Sequence, residues 1–415
     1  MIKAYRYKIK PTKAQEAFLK KCFGCCRFVY NYALNKRIEA YSSEKKTLTF
    51  FDQCTALRKM KKQPKYAWLN EVPALSMNYA LLNLNNAYGH FFKTKSGFPK
   101  YKSKKDGHDS VKFEPNSTKY DFKSNKVRIP KLGWVRIYKD KFFDQSSVKI
   151  NATTVSRDKC GTYWCSVSVD DGIPLPPKAK VTKATAIGLD MGLSEFATLS
   201  TGEKIPNMRF SEEKAIAKAQ KCLARKVGYK KEETPSKRFL LYKTKLAKKH
   251  RRIANRRTDF LHKLSTDLVR KYDTICVEDL NVNGMMKNHN LARAISSVAW
   301  SEFFRMITYK CDWYGKNLLK SGRFDATSQV CSRCGYRNAN TKDLSVRRWT
   351  CPECGTHHDR DVNAAINIMK MAIERDSPSV KGITGADGAD SENNNGTSSH
   401  ICNYASDETP MKLSF

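Results

Sequence analysis

Two cysteine pairs, Cys331-Ser-Arg-Cys334 and Cys351-Pro-Glu-Cys354, stand sixteen residues apart. That spacing lets four thiolates close a tetrahedral shell around one Zn2+ ion. Gly335 and Gly355 follow the second cysteine of each pair, where a tight knuckle favours a residue that tolerates positive φ. A shell closed by four protein ligands leaves no open position, so the zinc is expected to be structural and the chemistry to lie beside it. Three acids are placed for that chemistry. Asp190 follows the apolar run Ala184-Thr-Ala-Ile-Gly-Leu, Glu278 closes Thr274-Ile-Cys-Val, and Asp361 opens a helical stretch after the second knuckle. Three carboxylates in one cleft repel one another and stay ionised only if cations neutralise them. Mg2+ prefers oxygen ligands and keeps waters and phosphates in its shell. Two such ions can activate a water and stabilise the leaving 3′-oxygen of a phosphodiester, with no Ser, Cys or His nucleophile. Singly, each acid reads as well as a helix cap or a solvated side chain; the set points to metal-dependent phosphodiester hydrolysis.

Charge supports that direction. The 415 residues carry 77 Lys plus Arg against 40 Asp plus Glu, a formal net charge of +37. A balance this basic calls for a polyanion, either nucleic acid or an anionic membrane. No run of eighteen apolar residues exists, so no membrane span is expected. The start, Met1-Ile-Lys-Ala-Tyr-Arg-Tyr, lacks the apolar stretch of an export signal. The fourteen cysteines then read as thiols of a cytoplasmic chain, four of them on zinc.

The elements that must position these groups follow in chain order. Residues 1–10 alternate as a strand. Thr12 caps a helix reaching about Tyr41, a second helix follows Thr49 through Met60, and a third runs from Ser76 to Phe92. Cys22, Cys25 and Cys26 are expected as buried helix residues, and Phe28, Tyr30, Tyr88, Phe91 and Phe92 as core. From Val111 to Val169 short alternating runs predict a small barrel or sheet with outward Lys and Arg suited to phosphates: Val127–Ile129, Trp134–Ile137, Val148–Ile150, Thr153–Val155 and Tyr163–Val169. Ile173-Pro-Leu-Pro-Pro177 is a stiff linker. Beyond Asp190 a hairpin reaches Ile205, and a basic helix capped by Ser211 and Glu212-Glu213 runs towards Val227. A longer helix starts at Pro235 and ends near Tyr272. Its Lys249, Arg252 and Arg256, with Lys243, Lys245, Lys248, Arg251 and Arg257, predict a face that tracks a nucleic-acid backbone. A further helix is expected from Ala294 to Gly315. Residues 376–415 read as disordered.

Gly188-Leu-Asp190-Met-Gly192, Val277-Glu278-Asp279-Leu280, the cysteine knuckles and His358-Asp-Arg-Asp361-Val-Asn363-Ala-Ala365 together resemble the TnpB (OrfB) family. These are RNA-guided DNA endonucleases of bacterial and archaeal insertion sequences, related to compact type V CRISPR effectors. The likeness extends to Arg27-Phe-Val-Tyr-Asn31, Leu132-Gly-Trp134 and Arg257-Thr-Asp-Phe-Leu-His-Lys-Leu264. It implies an α/β multidomain chain: a RuvC-like RNase H fold with an inserted zinc ribbon, plus an N-terminal β-barrel, the wedge, with an inserted helical recognition domain. Its implied boundaries are 1–10 and 105–180 for the wedge, 11–104 for the recognition domain, 181–326 and 356–375 for the nuclease, and 327–355 for the zinc ribbon. Asp190, Glu278 and Asp361 are implied as the catalytic triad on two Mg2+ ions, with Asp359 competing for the third place. Cys331, Cys334, Cys351 and Cys354 are implied as the ligands of Zn2+. Phe50, Met77 and Asn78 fall where such proteins read a short motif beside the target, with methionine at 77 where the family has glutamine. The implied partners are a guide RNA encoded near the element end and target double-stranded DNA, with no membrane and no required protein partner, in a bacterial or archaeal, nucleoid-associated setting. The alternatives are a type V CRISPR effector, a non-catalytic nucleic-acid-binding regulator, and a strand-transferring transposase using the same acids.

Overall fold

The computed structural model describes residues 1–94, 97–104, 107, 109–138, 142–208, 213–225, 236–343 and 345–376. The expected caps Ser211 and Glu212, the helix end at Val227, the helix start at Pro235 and the expected disordered tail beyond 376 lie outside these residues. The described residues divide into two compact units, one built from 1–173 and 236–247, the other from 174–225 and 248–376. The division at Ile173/Pro174 falls on the proline-rich linker. No helix among the described residues is long and apolar enough to cross a membrane.

The first unit opens with β1 (Ile2–Lys10), then α1 (Lys13–Glu44), α2 (Phe50–Met60) and α3 (Ala74–Thr94). Thr12 and Thr49 cap α1 and α2 in reciprocal boxes with Gln15 and Asp52, so both helix starts are set by four-residue signals. Six strands follow: β2 (Asp109–Phe113), β3 (Lys119–Asp121), β4 (Lys126–Ile129), β5 (Gly133–Tyr138), β6 (Lys149–Arg157) and β7 (Tyr163–Asp170). With β1 they form one antiparallel sheet in the order β2-β6-β7-β1-β5-β4-β3. The first ten residues therefore sit in the middle of a sheet whose other strands begin only at Asp109.

Several expectations are corrected here. The runs Val148–Ile150 and Thr153–Val155 are one strand, β6, whose register shifts between Ile150 and Ala152. An extra residue at a bulge breaks the alternation, so one strand reads as two. No ladder joins β2 to β3, so the sheet is not a hydrogen-bonded barrel. It rolls far enough that the Tyr120 hydroxyl on β3 lies 3.1 Å from Thr153 Oγ1 on β6 and 3.7 Å from Cys165 Sγ on β7. Phe92 is exposed, at the end of a helix that runs beyond its apolar support. Cys22, Cys25 and Cys26 are buried as expected, and burial pushes their thiols up to about 12, 11 and 12.

The second unit starts with β8 (Ala186–Met191), β9 (Glu195–Leu199) and β10 (Lys204–Pro206), followed by α4 (Glu213–Ala224). Then come α5 (Lys237–Lys271), whose first residues group with the other unit, β11 (Thr274–Val277), α6 (Val282–Met285), α7 (His289–Val298), α8 (Trp300–Trp313) and β12 (Asn317–Lys320). The chain closes with β13 (Arg348–Thr350), β14 (His357–Asp359) and α9 (Arg360–Asp376). The sheet order is β10-β9-β8-β11-β12, antiparallel across β10, β9 and β8 and parallel across β8, β11 and β12. The helix expected over Ala294–Gly315 is two helices. Ala299, at φ 59°, ends α7 and begins α8. Lys310 ties α8 to α5: its buried ammonium donates to His262 O, Ser265 Oγ and Thr266 Oγ1, each at 2.7 Å.

Alternation along β8 and β11 sorts the two faces of this sheet. Ile187, Leu189, Ile275 and Val277 pack into one core with Leu261 and Leu268 of α5, Ile295 of α7, and Phe303 and Ile307 of α8. Gly188, Asp190, Cys276 and Glu278 hold the alternate positions. Cys276 packs on Ile368 and Ala372 of α9. A side chain at Gly188 would run into the Ala365 carbonyl of the same helix. So α9 covers the face to which Asp190 and Glu278 belong.

Candidate active site

Parallel pairing sets Val277 beside Leu189, which brings Asp190 and Glu278 to the same end of neighbouring strands. Asp361 lies in the first turn of α9, four residues before Ala365 and therefore one turn along the same helix face. Asp190 feels the other two acids. Burial, then the charges of Glu278 and Asp361, push the Asp190 carboxyl up to about 7, against a smaller opposing pull from Arg360. Burial also raises Glu278; a hydrogen bond from Thr327 Oγ1 at 2.9 Å opposes the rise, and the Asp325 charge adds to it. The Asp361 carboxylate stands 3.6 Å from Arg347 Nη1.

Asp359 is occupied otherwise. Its carboxylate accepts from Lys204 Nζ at 2.8 Å and from the backbone N–H groups of Asp361 and Val362 at 3.1 and 3.3 Å. Burial alone would raise this carboxyl, but the Lys204 hydrogen bond and those from the helix start outweigh it and hold it below its ordinary value. It acts as a cap on α9.

The four cysteines converge. Their Sγ atoms all lie within 4.8 Å of one another, with Cys331–Cys354 at 3.7 Å and Cys334–Cys351 at 3.6 Å. Tetrahedral zinc bound at about 2.3 Å sets its sulfurs about 3.8 Å apart, so the cluster fits the ion. Gly335 and Gly355 adopt φ +83° and +65°, and their N–H groups donate to Cys331 O and Cys351 O. His358 Nε2 sits 3.1 Å from Cys331 Sγ, with the Trp349 ring over it.

Residues that spacing did not single out hold the ribbon to the acids. Asn363 donates from Nδ2 to Val330 O and accepts from Ser332 N. Asn367 donates to Thr327 O and Val330 O, and Lys370 bonds Ser332 O. Arg375 pairs with Asp325 at 2.9 Å. All four sit on α9, the helix that carries Asp361. Asn363 belongs to the motif quoted above, but only the fold reveals its partner thirty-three residues earlier.

The motif-reading expectations divide. Met77 is fully buried in the core of the first unit and offers no surface to a nucleic acid, which corrects that expectation. A helix position facing its neighbours is filled by an apolar side chain. Asn78 and Phe50 are half-buried, and Phe50 stacks edge-on against the exposed ring of Phe51. Lys249, Arg252 and Arg256 are exposed on α5. On the sheet of the first unit, the outward positions of β1, β4 and β5 hold Lys8, Lys10, Lys126, Arg128, Trp134, Arg136 and Tyr138, all exposed.

Known proteins resemble this chain along most of its length. A Streptomyces pristinaespiralis protein named "Putative RNA-guided DNA endonuclease" is 37% identical over 379 residues, covering 89% of each chain. The chain belongs to the TnpB (OrfB) family. An Escherichia coli K12 relative, "Putative RNA-guided DNA endonuclease InsQ", is 30% identical over 89% of this chain and 92% of its own. Family models match residues 163–289 ("Probable transposase"), 300–368 ("Cas12f1-like, TNB domain") and 1–46 ("Helix-turn-helix domain"). In this chain the last of these regions is a strand and one long helix. Among solved structures, a chain from a Cas12f1-sgRNA-target DNA complex aligns over 86% of this chain and 83% of its own, at 15% identity and TM-score 0.48.

Proposed function

We propose that this chain is an RNA-guided DNA endonuclease that hydrolyses a phosphodiester bond at Asp190, Glu278 and Asp361, which would together hold two Mg2+ ions. The observation that carries the site is the Asp190 carboxyl, beside Glu278 across the parallel strand pair and raised by burial and then by the charges of Glu278 and Asp361. An all-oxygen set whose members repel one another suits a hard divalent cation. When bound, the ions would supply an activated water and neutralise charge on the scissile phosphate and the leaving 3′-oxygen. The chain's own residues prepare that site. Thr327 fixes the orientation of the Glu278 carboxylate. Lys204 keeps Asp359 on the helix start, so that α9 presents Asp361. Partial burial of Asp190 reduces the screening of its charge by bulk water.

The strand order β10-β9-β8-β11-β12, with its antiparallel half and its parallel half, supports the RuvC-like RNase H reading. The cysteine cluster supports one structural Zn2+. The basic and aromatic face of β1, β4 and β5 suits an RNA strand, through phosphate contacts and base stacking. Base pairing would then supply sequence, while the protein holds backbone. The test is to purify the full chain with its accompanying RNA, sequence that RNA, and offer plasmids bearing the complementary target. Mg2+-dependent cuts beside that target, absent in Asp190→Ala, are expected. Equal cutting by Asp190→Ala would remove the triad.

A further inference from the structure

We propose that Phe324 is a stacking residue that holds an unpaired base of the strand being cut, beside the carboxylate site; the proposal rests on the nuclease reading above. Phe324 is 94% exposed, the barest large apolar side chain among the described residues. Scattered apolar side chains on a surface are ordinary, and such a ring on a loose loop would mean little. This turn is pinned on every side. Ser321 N donates to Val277 O at 3.0 Å, Gly322 N to Asp325 Oδ2 at 2.6 Å, and Thr327 N to Asp325 O at 2.9 Å. Arg375 holds the other oxygen of Asp325 at 2.9 Å, and Asn367 of α9 holds Thr327 O at 2.8 Å. Arg323, the preceding residue, pairs with Asp279 at 2.7 Å. The backbone is thus fastened to β11 and α9, while the ring between the fastenings stands in water.

Its position gives it a use. Thr327, three residues on, donates to Glu278. Three residues of chain reach at most about 10 Å, a distance that about three stacked nucleotides also cover. Lys320 at the end of β12 and Arg323 on the turn share the Asp279 carboxylate, which leaves one net positive charge beside the ring. A fixed aromatic face flanked by cations is the combination that binds single strands, since every base has a π-face and every linkage a phosphate. A paired base keeps its face inside the duplex, so the occupant is an unpaired deoxynucleotide. Stacking there would set the register of the strand and so choose which phosphate reaches the acids.

The experiment uses the full chain with its co-purified RNA, in EDTA, and single-stranded oligodeoxynucleotides carrying one 2-aminopurine stepped along the sequence. Wild type and Asp190→Asn should quench the probe at one position. Phe324→Ala and Phe324→Leu should lose that quenching, and Phe324→Tyr should keep it. With Mg2+ restored, cleavage by Phe324→Ala and Phe324→Leu should fall on the order of tenfold or more, the size of losing one base stack. Melting temperature should not change, since the ring packs on nothing. Cleavage and quenching by Phe324→Leu equal to wild type would overturn the proposal, as would a wild type that cuts DNA but quenches at no position; both leave the nuclease reading standing. Quenching that depends on Phe324 in a chain that cuts nothing would keep the stacking site and sink the nuclease.

Discussion

Gly188 of β8 and Ala365 of α9 are packed so closely that a Cβ on the glycine would overlap the alanine's carbonyl oxygen. The same Cβ would lie 3.0 Å from Met369 Cβ. Strand and helix meet here without a side chain between them, two residues from Asp190 and one helical turn from Asp361. Gly188→Ala must therefore push α9 off the sheet. Destabilisation of about 1–3 kcal/mol is expected, as for other overpacked cores. Cleavage should fall further than stability does, because Asp361 moves with the helix. Paired melting curves and cleavage rates check this.

Asp190 carries a raised carboxyl, so its protonated form suits the metal-free fold. The stability this contributes is full below the unfolded carboxyl's value of about 4 and is lost as pH rises from there through about 7. Asp190→Asn, which never ionises, should raise the melting temperature of the EDTA-treated chain most at pH 8 and less at pH 5. Mg2+ should shrink the difference at pH 8 by stabilising the wild type alone. Thermal scans at the two pH values, with and without Mg2+, decide it.

Thr327→Val keeps the shape of the side chain and removes the hydrogen bond that opposes the rise of Glu278. The Glu278 carboxyl should climb further, so the acid limb of the cleavage profile should move to higher pH. At neutral pH the rate should fall roughly tenfold, the scale of one hydrogen bond to a charged group. A pH-rate profile separates this from a simple folding defect, which would lower the whole curve.

One zinc ion per chain is expected by elemental analysis, and Cys351→Ser should lower that content. Chelation should release the knuckles, because a site of this kind contributes its binding energy to folding. The sheet of the second unit should keep its far-ultraviolet signal while cleavage is lost.

Replacing Lys249, Arg252 and Arg256 of α5 with alanine should weaken RNA binding similarly across sequences. The slope of log affinity against log salt should drop by about 2 to 3, near one counterion per lost phosphate contact. An unchanged slope would place the backbone contacts elsewhere.

Much of this site was readable before any fold was known, for reasons visible in particular residues. Asp190 and Glu278 end apolar runs, and strands buried on both faces must look like that. The cysteine knuckles announce themselves because metal geometry constrains spacing directly. What stayed hidden depends on distant partners. Asn363 and Asn367 are polar residues inside a helix, and nothing local says that they hold carbonyls over thirty residues away. The break at Ala299 has neither glycine nor proline to mark it, since alanine takes φ 59° here. Met77 was placed by family likeness on a reading surface, where its helix turns it into the core.

Helix α9 is seventeen residues long and serves two clients from a single rod: Asp361 near its start, and the ribbon fastenings at Asn363, Asn367 and Lys370. Each residue of an α-helix turns the next by about 100°. A single insertion or deletion between Asp361 and Asn367 would thus swing either the acid or the fastening to the wrong side. The loop between the knuckles carries no such phase, whereas the count of residues along that rod is fixed from both ends.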